Sequence, residues 1–177
     1  PDSSTWEDTW EILSRYGVIN QMPGSVRLRL EKGRTGKLAD TPKAGDPVFD
    51  RTTHVVVGDN RIAALASVEK ARELGLHAML LSTYVEGEAR EVAGVFAGLA
   101  KEIAQYGQPL ERPACLVLGG ETTVTLQGTG SGGRNQELAL AAALALAGWE
   151  GALLVTLATD GTDGPTDAAG ALATWDT

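Results

Sequence analysis

Four glycines stand in the string Gly128-Thr129-Gly130-Ser131-Gly132-Gly133-Arg134-Asn135. Without a Cβ, Gly128, Gly130, Gly132 and Gly133 let the backbone approach a ligand closely and turn successive N–H groups onto an anion. A helix beginning near Asn135 would add its N-terminal partial positive charge at the same place. Arg134 supplies a planar fork suited to phosphate or carboxylate. The plainer reading is a flexible connection with a solvated arginine, but glycines running straight into Arg-Asn and an apolar stretch favour a site. Gly128, Gly130 and Gly133 also satisfy G-x-G-x-x-G, a weak dinucleotide signal by itself. The preceding segment, 123–127, alternates polar and apolar residues instead of reading as a doubly buried strand. Glu150 comes before the next strand, where a ribose-binding acid should follow it. No G-x-x-x-x-G-K-[ST] string occurs, which excludes a P-loop here.

A second constellation is acidic. Asp160, Asp163 and Asp167 share a loop with Gly161, Gly164 and Pro165. Carboxylates so spaced could hold Mg²⁺ through water or orient an attacking hydroxyl. The alternative is a solvated turn in which Asp167 caps a helix from Ala168. A third group, Gly119-Gly120-Glu121-Thr122-Thr123, follows an apolar run. Glu121 can bind a metal or accept a proton, and the hydroxyls of Thr122 and Thr123 can donate to phosphate. Glu88 after Gly87 reads equally as a favourable first-turn acid. His54 and His77 each open a strand and read as structural, and Trp6 and Trp10 as core or interface residues. Cys115 is the only cysteine, so no intrachain disulfide forms. Its apolar neighbours mark it as an inert, buried thiol, in keeping with a reducing compartment.

The elements that would position these groups follow from periodicity. Trp6, Trp10, Leu13 and Tyr16 share a helical face after Ser4-Thr5; Thr5 with Asp8 resembles a capping box, and Gly17 is a natural stop. Val26–Leu30 fits strand or helix, and 32–47 reads as a loop. His54–Gly58 reads as a short buried strand, followed by a helix over Arg61–Leu74 closed by Gly75, and then by strand His77–Leu81. The two strands are expected side by side in a parallel sheet. A helix opens at Gly87-Glu88, with Val92, Val95, Phe96, Leu99 and Ile103 on one face. The prolines and charges of 108–113 suggest a domain boundary. Beyond it come strand Ala114–Leu118, a buried helix over Leu138–Trp149 and strand Gly151–Ala158. This order predicts an α/β fold of layered parallel or mixed sheets flanked by helices, comprising parts of two domains.

Of 177 residues, 43% are hydrophobic and 5% aromatic, and the formal charge is -8. Such a chain can bury a core. Its net charge disfavours nucleic acid and anionic membrane as partners but not a small anion met by a few local donors. The N-terminal residues show no secretory signal, and a cytoplasmic location is expected.

Three strings together resemble the MOFRL domain of the glycerate 2-kinase family: Gly119-Gly120-Glu121-Thr122-Thr123-Val124, Gly132-Gly133-Arg134-Asn135-Gln136-Glu137-Leu138, and residues 160–170, Asp160-Gly161-Thr162-Asp163-Gly164-Pro165-Thr166-Asp167-Ala168-Ala169-Gly170. Upstream, residues 41–47 (Thr-Pro-Lys-Ala-Gly-Asp-Pro) and 81–91 resemble that family's other domain. Members transfer the γ-phosphoryl of ATP, with Mg²⁺, to the 2-hydroxyl of D-glycerate in a cleft between two domains. Some have been labelled hydroxypyruvate reductases.

The resemblance implies that 1–108 is the C-terminal part of the first, Rossmann-like domain and 109–177 the N-terminal part of the MOFRL domain. It implies that Arg134 stabilises charge on the transferring phosphoryl, and that Gly128, Gly130, Gly132, Gly133, Asn135, Thr122 and Thr123 bind phosphate or substrate. Glu121, Asp160 and Asp163 would handle Mg²⁺ or the glycerate hydroxyl, with Asp160 and Asp163 catalytic beside Arg134. The family's functional lysine, early in its first domain, has no match here. The chain is therefore expected to lack the start of one domain and the end of the other, and to be inactive alone. The alternatives are an NAD(P)-dependent hydroxypyruvate reductase and a non-catalytic nucleotide- or carboxylate-binding module. A homodimer is compatible with the sequence.

Overall fold

Thr5 and Asp8 cap one another as their spacing requires. The Thr5 N–H donates to Asp8 Oδ2 at 2.7 Å and the Asp8 N–H to Thr5 Oγ1 at 3.1 Å, which opens helix α1 (Trp6–Arg15). The computed structural model describes residues 1–176 and divides into two compact units, Pro1–Val55 and Val56 onward. In the first, α1 packs on α2 (Gly24–Arg34), so the ambiguous Val26–Leu30 stretch is helical. Gly33 is buried under the Trp6 indole, where a Cβ would come within 2.2 Å of the ring. Arg34 also joins the two helices, donating to both Glu7 carboxylate oxygens at 2.7 Å and lying 4.6 Å from the Trp10 ring centroid. The expected loop over 32–47 therefore starts inside a helix.

In the second unit Asp59 caps α3 (Asn60–Glu73), accepting the Ile62 N–H at 2.7 Å, and Gly75 follows its end at φ +84°. Strand β1 (His77–Glu88), helix α4 (Ala89–Tyr106) and strand β2 (Ala114–Thr123) form one β-α-β crossover with β1 and β2 parallel, His77 opposite Ala114 and Glu88 opposite Thr123. Val68 and Ala71 of α3 pack with Ala78, Leu80, Cys115 and Val117 of this sheet. Helix α5 (Arg134–Leu146) then lies against α4. The contact is built of small residues, Ala89 and Ala93 facing Ala139, Ala142 and Ala143, which lets the two backbones approach closely. Strands β3 (Leu153–Leu157) and β4 (Gly170–Thr174) complete the unit as an antiparallel pair, Val155 opposite Leu172. The α/β class stands, with a parallel sheet flanked by helices and a separate antiparallel pair.

The structure corrects the reading of three elements. His54–Gly58 is not a strand and does not pair with His77–Leu81; Val55, Val56 and Val57 are 68%, 74% and 93% exposed. An apolar run becomes a strand only where another strand receives its N–H and C=O groups, and none of the described strands pairs with it. The helix from Ala168 in the alternative reading of the acidic loop does not form, because the chain turns back into β4 along β3. The helix expected over Leu138–Trp149 starts four residues earlier and ends at Leu146. The segment 108–113 joins α4 to β2, and the compact units divide between Val55 and Val56. Among the described residues no helix is long and apolar enough to cross a membrane.

Candidate active site

Parallel strands β1 and β2 end side by side, and the third motif lies at that carboxyl edge, where α/β sheets gather ligands. Gly119 is required there by packing. A Cβ would fall 2.2 Å from the Oδ1 of Asn60, whose Nδ2 donates to the Thr83 carbonyl at 3.0 Å. Gly120, at φ +155°, passes so close to Val85 that a side chain would meet its carbonyl oxygen. Thr123 Oγ1 donates to the Gly87 carbonyl at 3.3 Å, which ties the two strand ends together. Glu121 and Thr122 lie between these anchors.

Arg134 opens α5 and reaches Glu121, Nη1 to Oε1, at 2.9 Å. Two motifs thirteen positions apart thus meet through one ion pair, with the arginine 44% and the glutamate 73% exposed. Gly128, Gly130 and Gly132 border open space, since a Cβ on any of them would meet nothing closer than 4.0 Å. Gly133 differs: its Cβ would lie 2.4 Å from the Asp163 Cγ, so glycine is needed here to admit a side chain of this same chain.

Asp163 is 2% exposed and bound from both sides. Its Oδ1 accepts the Asn135 N–H at 3.0 Å and the Asn135 Nδ2 at 3.1 Å; its Oδ2 accepts the Gln136 N–H at 2.8 Å and the Gln136 Nε2 at 3.2 Å. Burial pulls its pKa up, and these donors outweigh burial, so it stands below the ordinary carboxylate value. The Asn135 amide is spent on this contact and is not presented to a ligand. Asp160 is exposed, its Oδ1 accepting the Thr162 N–H at 3.3 Å. Asp167 is exposed too. Among the described residues no three His, Cys, Asp or Glu side chains converge as a metal site, so Glu121, Asp160 and Asp163 are not gathered around one point.

Residues 114–177 match the MOFRL family model. The chain is 44% identical to the glycerate 2-kinase of Pyrococcus horikoshii over 97% of this chain and 38% of that protein. It also resembles the crystal structure of glycerate kinase from Thermotoga maritima, with a TM-score of 0.69 and 38% identity, covering 99% of this chain and 39% of that one. Over nearly its whole length the chain is similar to part of the glycerate kinases. A relative from Agrobacterium vitis whose name carries hydroxypyruvate reductase is 39% identical over 97% of this chain and 37% of that protein. The chain spans about 38% of the length of the first two relatives.

Three participants escaped the sequence reading. Asn60, which stands just before the helix expected from Arg61, lies over Gly119. Gln136 has a side chain aimed at Asp163 and Thr166. Arg90 pairs with Glu88 at 3.3 Å and with Glu137 of α5 at 3.1 Å. Glu88 in turn accepts the Thr125 N–H at 2.8 Å and its hydroxyl at 3.1 Å, and these bonds, the backbone one foremost, lower its pKa. Apart from Glu88–Arg90, these pairings join residues distant in sequence, so periodicity carries no trace of them.

Proposed function

We propose that the protein to which these residues belong phosphorylates D-glycerate at its 2-hydroxyl, with ATP as donor, in the cytoplasm. The observation that carries this reading is the Arg134–Glu121 pair, which joins the glycine-rich loop to the strand-end motif in a chain whose relatives are named glycerate kinases. Phosphoryl transfer asks little covalent chemistry of a protein; it asks for positioning and for donors aimed at the equatorial oxygens. In this reading the N–H groups of 128–132 approach the phosphates, unhindered by side chains. Arg134 supplies a planar cation, and Thr122 and Thr123 bring hydroxyls at the strand end that follows its partner Glu121.

Mg²⁺ keeps most of its waters and takes one or two carboxylates besides substrate phosphate. Asp160, exposed at its loop, fits that demand, and the bound ion would neutralise phosphate charge. Asp163 does not fit, because four donors already occupy its oxygens. We assign residues 109–177 to the opening of the MOFRL domain, which the family match from residue 114 supports, and 1–108 to the end of the domain before it.

The test is product identity. The complete protein, given D-glycerate and MgATP, should yield 2-phosphoglycerate and ADP. Oxidation of NADH with hydroxypyruvate and no ADP would establish the reductase instead. Ligand binding without turnover would leave a binding module.

A further inference from the structure

A helix leaves its first N–H groups without intrahelical partners, which makes its N-terminus a natural place for an anion. The N-cap of α5 is Gly133, which has no side chain to offer. The missing acceptor comes from 28 positions along the chain: Asp163 takes the Asn135 and Gln136 N–H groups, one on each carboxylate oxygen. The side-chain amides of the same two residues fill the remaining acceptor positions. A carboxylate has about four lone-pair sites, and here each is in use.

The surrounding loops are built around that contact. Gly133 is glycine because Asp163 occupies the space of its Cβ, and Gly164, at φ +62°, lies where a Cβ would be 2.3 Å from the Gly132 carbonyl oxygen. The Thr166 hydroxyl donates to the Asp163 carbonyl at 2.8 Å and accepts from Gln136 Nε2 at 2.9 Å. The Asp163 N–H donates to the Ala168 carbonyl at 2.8 Å. An incoming phosphate at the start of α5 would meet a buried carboxylate holding the very donors it needs.

We infer that Asp163 is an internal anion that closes the α5 N-terminus to phosphate and fixes the point from which Arg134 projects toward Glu121. It is a positioning residue, neither metal ligand nor proton acceptor. The phosphate contacts must then come from Arg134 and the N–H groups of 128–132, not from the helix end. Only the part of this assignment that concerns Arg134 rests on the kinase reading.

The experiment compares the complete wild-type protein with Asp163→Ala and Asp163→Asn, with and without sodium formate, by thermal melting and by steady-state ADP release. Asp163→Ala should melt earlier and lose roughly 10- to 100-fold in kcat with little change in the KM for glycerate. Formate, entering the vacated position, should restore part of both, while wild type gains nothing from it. Asp163→Asn keeps the volume but turns an NH₂ group toward backbone donors, so it should show both losses and no rescue. The Mg²⁺ dependence should not move in either variant.

Lack of a formate effect on folded Asp163→Ala, or a raised Mg²⁺ requirement, would overturn the inference. Should Asp163→Ala fail to fold, Asp163→Asn carries the test, and wild-type melting and kcat there would overturn it. If wild type releases no ADP with glycerate, the kinase reading falls, while the melting comparison still decides the role of Asp163.

Discussion

Glu121 and Glu86 are register partners at the carboxyl edge of the parallel sheet, and the guanidinium of Arg134 meets Glu121 at 2.9 Å. Like charges on adjacent strands repel, so the arginine relieves a cost that the pairing alone would impose. That relation links the first residue of α5 to the end of β2. It gives Arg134 a defined position although its side chain is nearly half exposed.

Glu121→Gln separates the structural from the functional side of this pair. An exposed ion pair contributes at most about 1 kcal/mol, so the melting temperature should barely change. The kcat of the complete protein should fall roughly tenfold, because Arg134 loses the carboxylate that orients it. Unchanged turnover would make the contact a bystander.

The glycines of the loop should divide into two classes. Gly133→Ala forces a Cβ to 2.4 Å from Asp163 Cγ and should cost about 1–3 kcal/mol of stability in urea unfolding. Gly130→Ala meets nothing within 4 Å and should leave stability within about 0.5 kcal/mol. Its effect should appear instead in the KM for nucleotide. Equal stability losses in the two variants would show that the loop is packed throughout and not open to a ligand.

Thr156 joins the antiparallel pair to the start of α5. Its buried hydroxyl donates to the Asn135 carbonyl at 2.9 Å and accepts the Ala171 N–H at 3.0 Å. Thr156→Val keeps the shape and strands both groups, so stability should drop by about 1–3 kcal/mol. A lower urea midpoint at constant m-value would register it.

Local signals carried much of this fold. Thr5 with Asp8, Gly17 after α1 and Gly75 after α3 all act within a few residues, and each appears in the structure as its spacing implies. What failed was non-local. The run Val55-Val56-Val57 has the composition of a buried strand, but composition does not supply a neighbour to pair with. Asp163 read as a metal or proton-transfer candidate because its own string is rich in aspartate; the donors that claim it lie 27 and 28 positions away. The Asn135 and Gln136 N–H groups at the start of α5 turn to Asp163 for the same non-local reason.

The acid limb of stability should carry the Asp163 signature. Its folded pKa is depressed, so its contribution is present above the unfolded carboxylate value and is lost as pH falls through the lower folded value. Urea midpoints between about pH 5 and pH 2 should therefore fall more steeply for wild type than for Asp163→Asn. Parallel curves would deny Asp163 this share of the acid sensitivity.

The central claim is that Arg134 stabilises charge on a phosphoryl group moving to glycerate, and steady-state ADP release by the complete protein tests it most directly. Arg134→Ala should lower kcat by about 10²-fold or more, and Arg134→Lys, which keeps the charge and loses the planar fork, should recover only part. Glycerate binding should change less than turnover, since the contact matters chiefly in the transition state. Wild-type kcat in an Arg134→Ala protein shown by circular dichroism to be folded would contradict the account and move the phosphate site elsewhere.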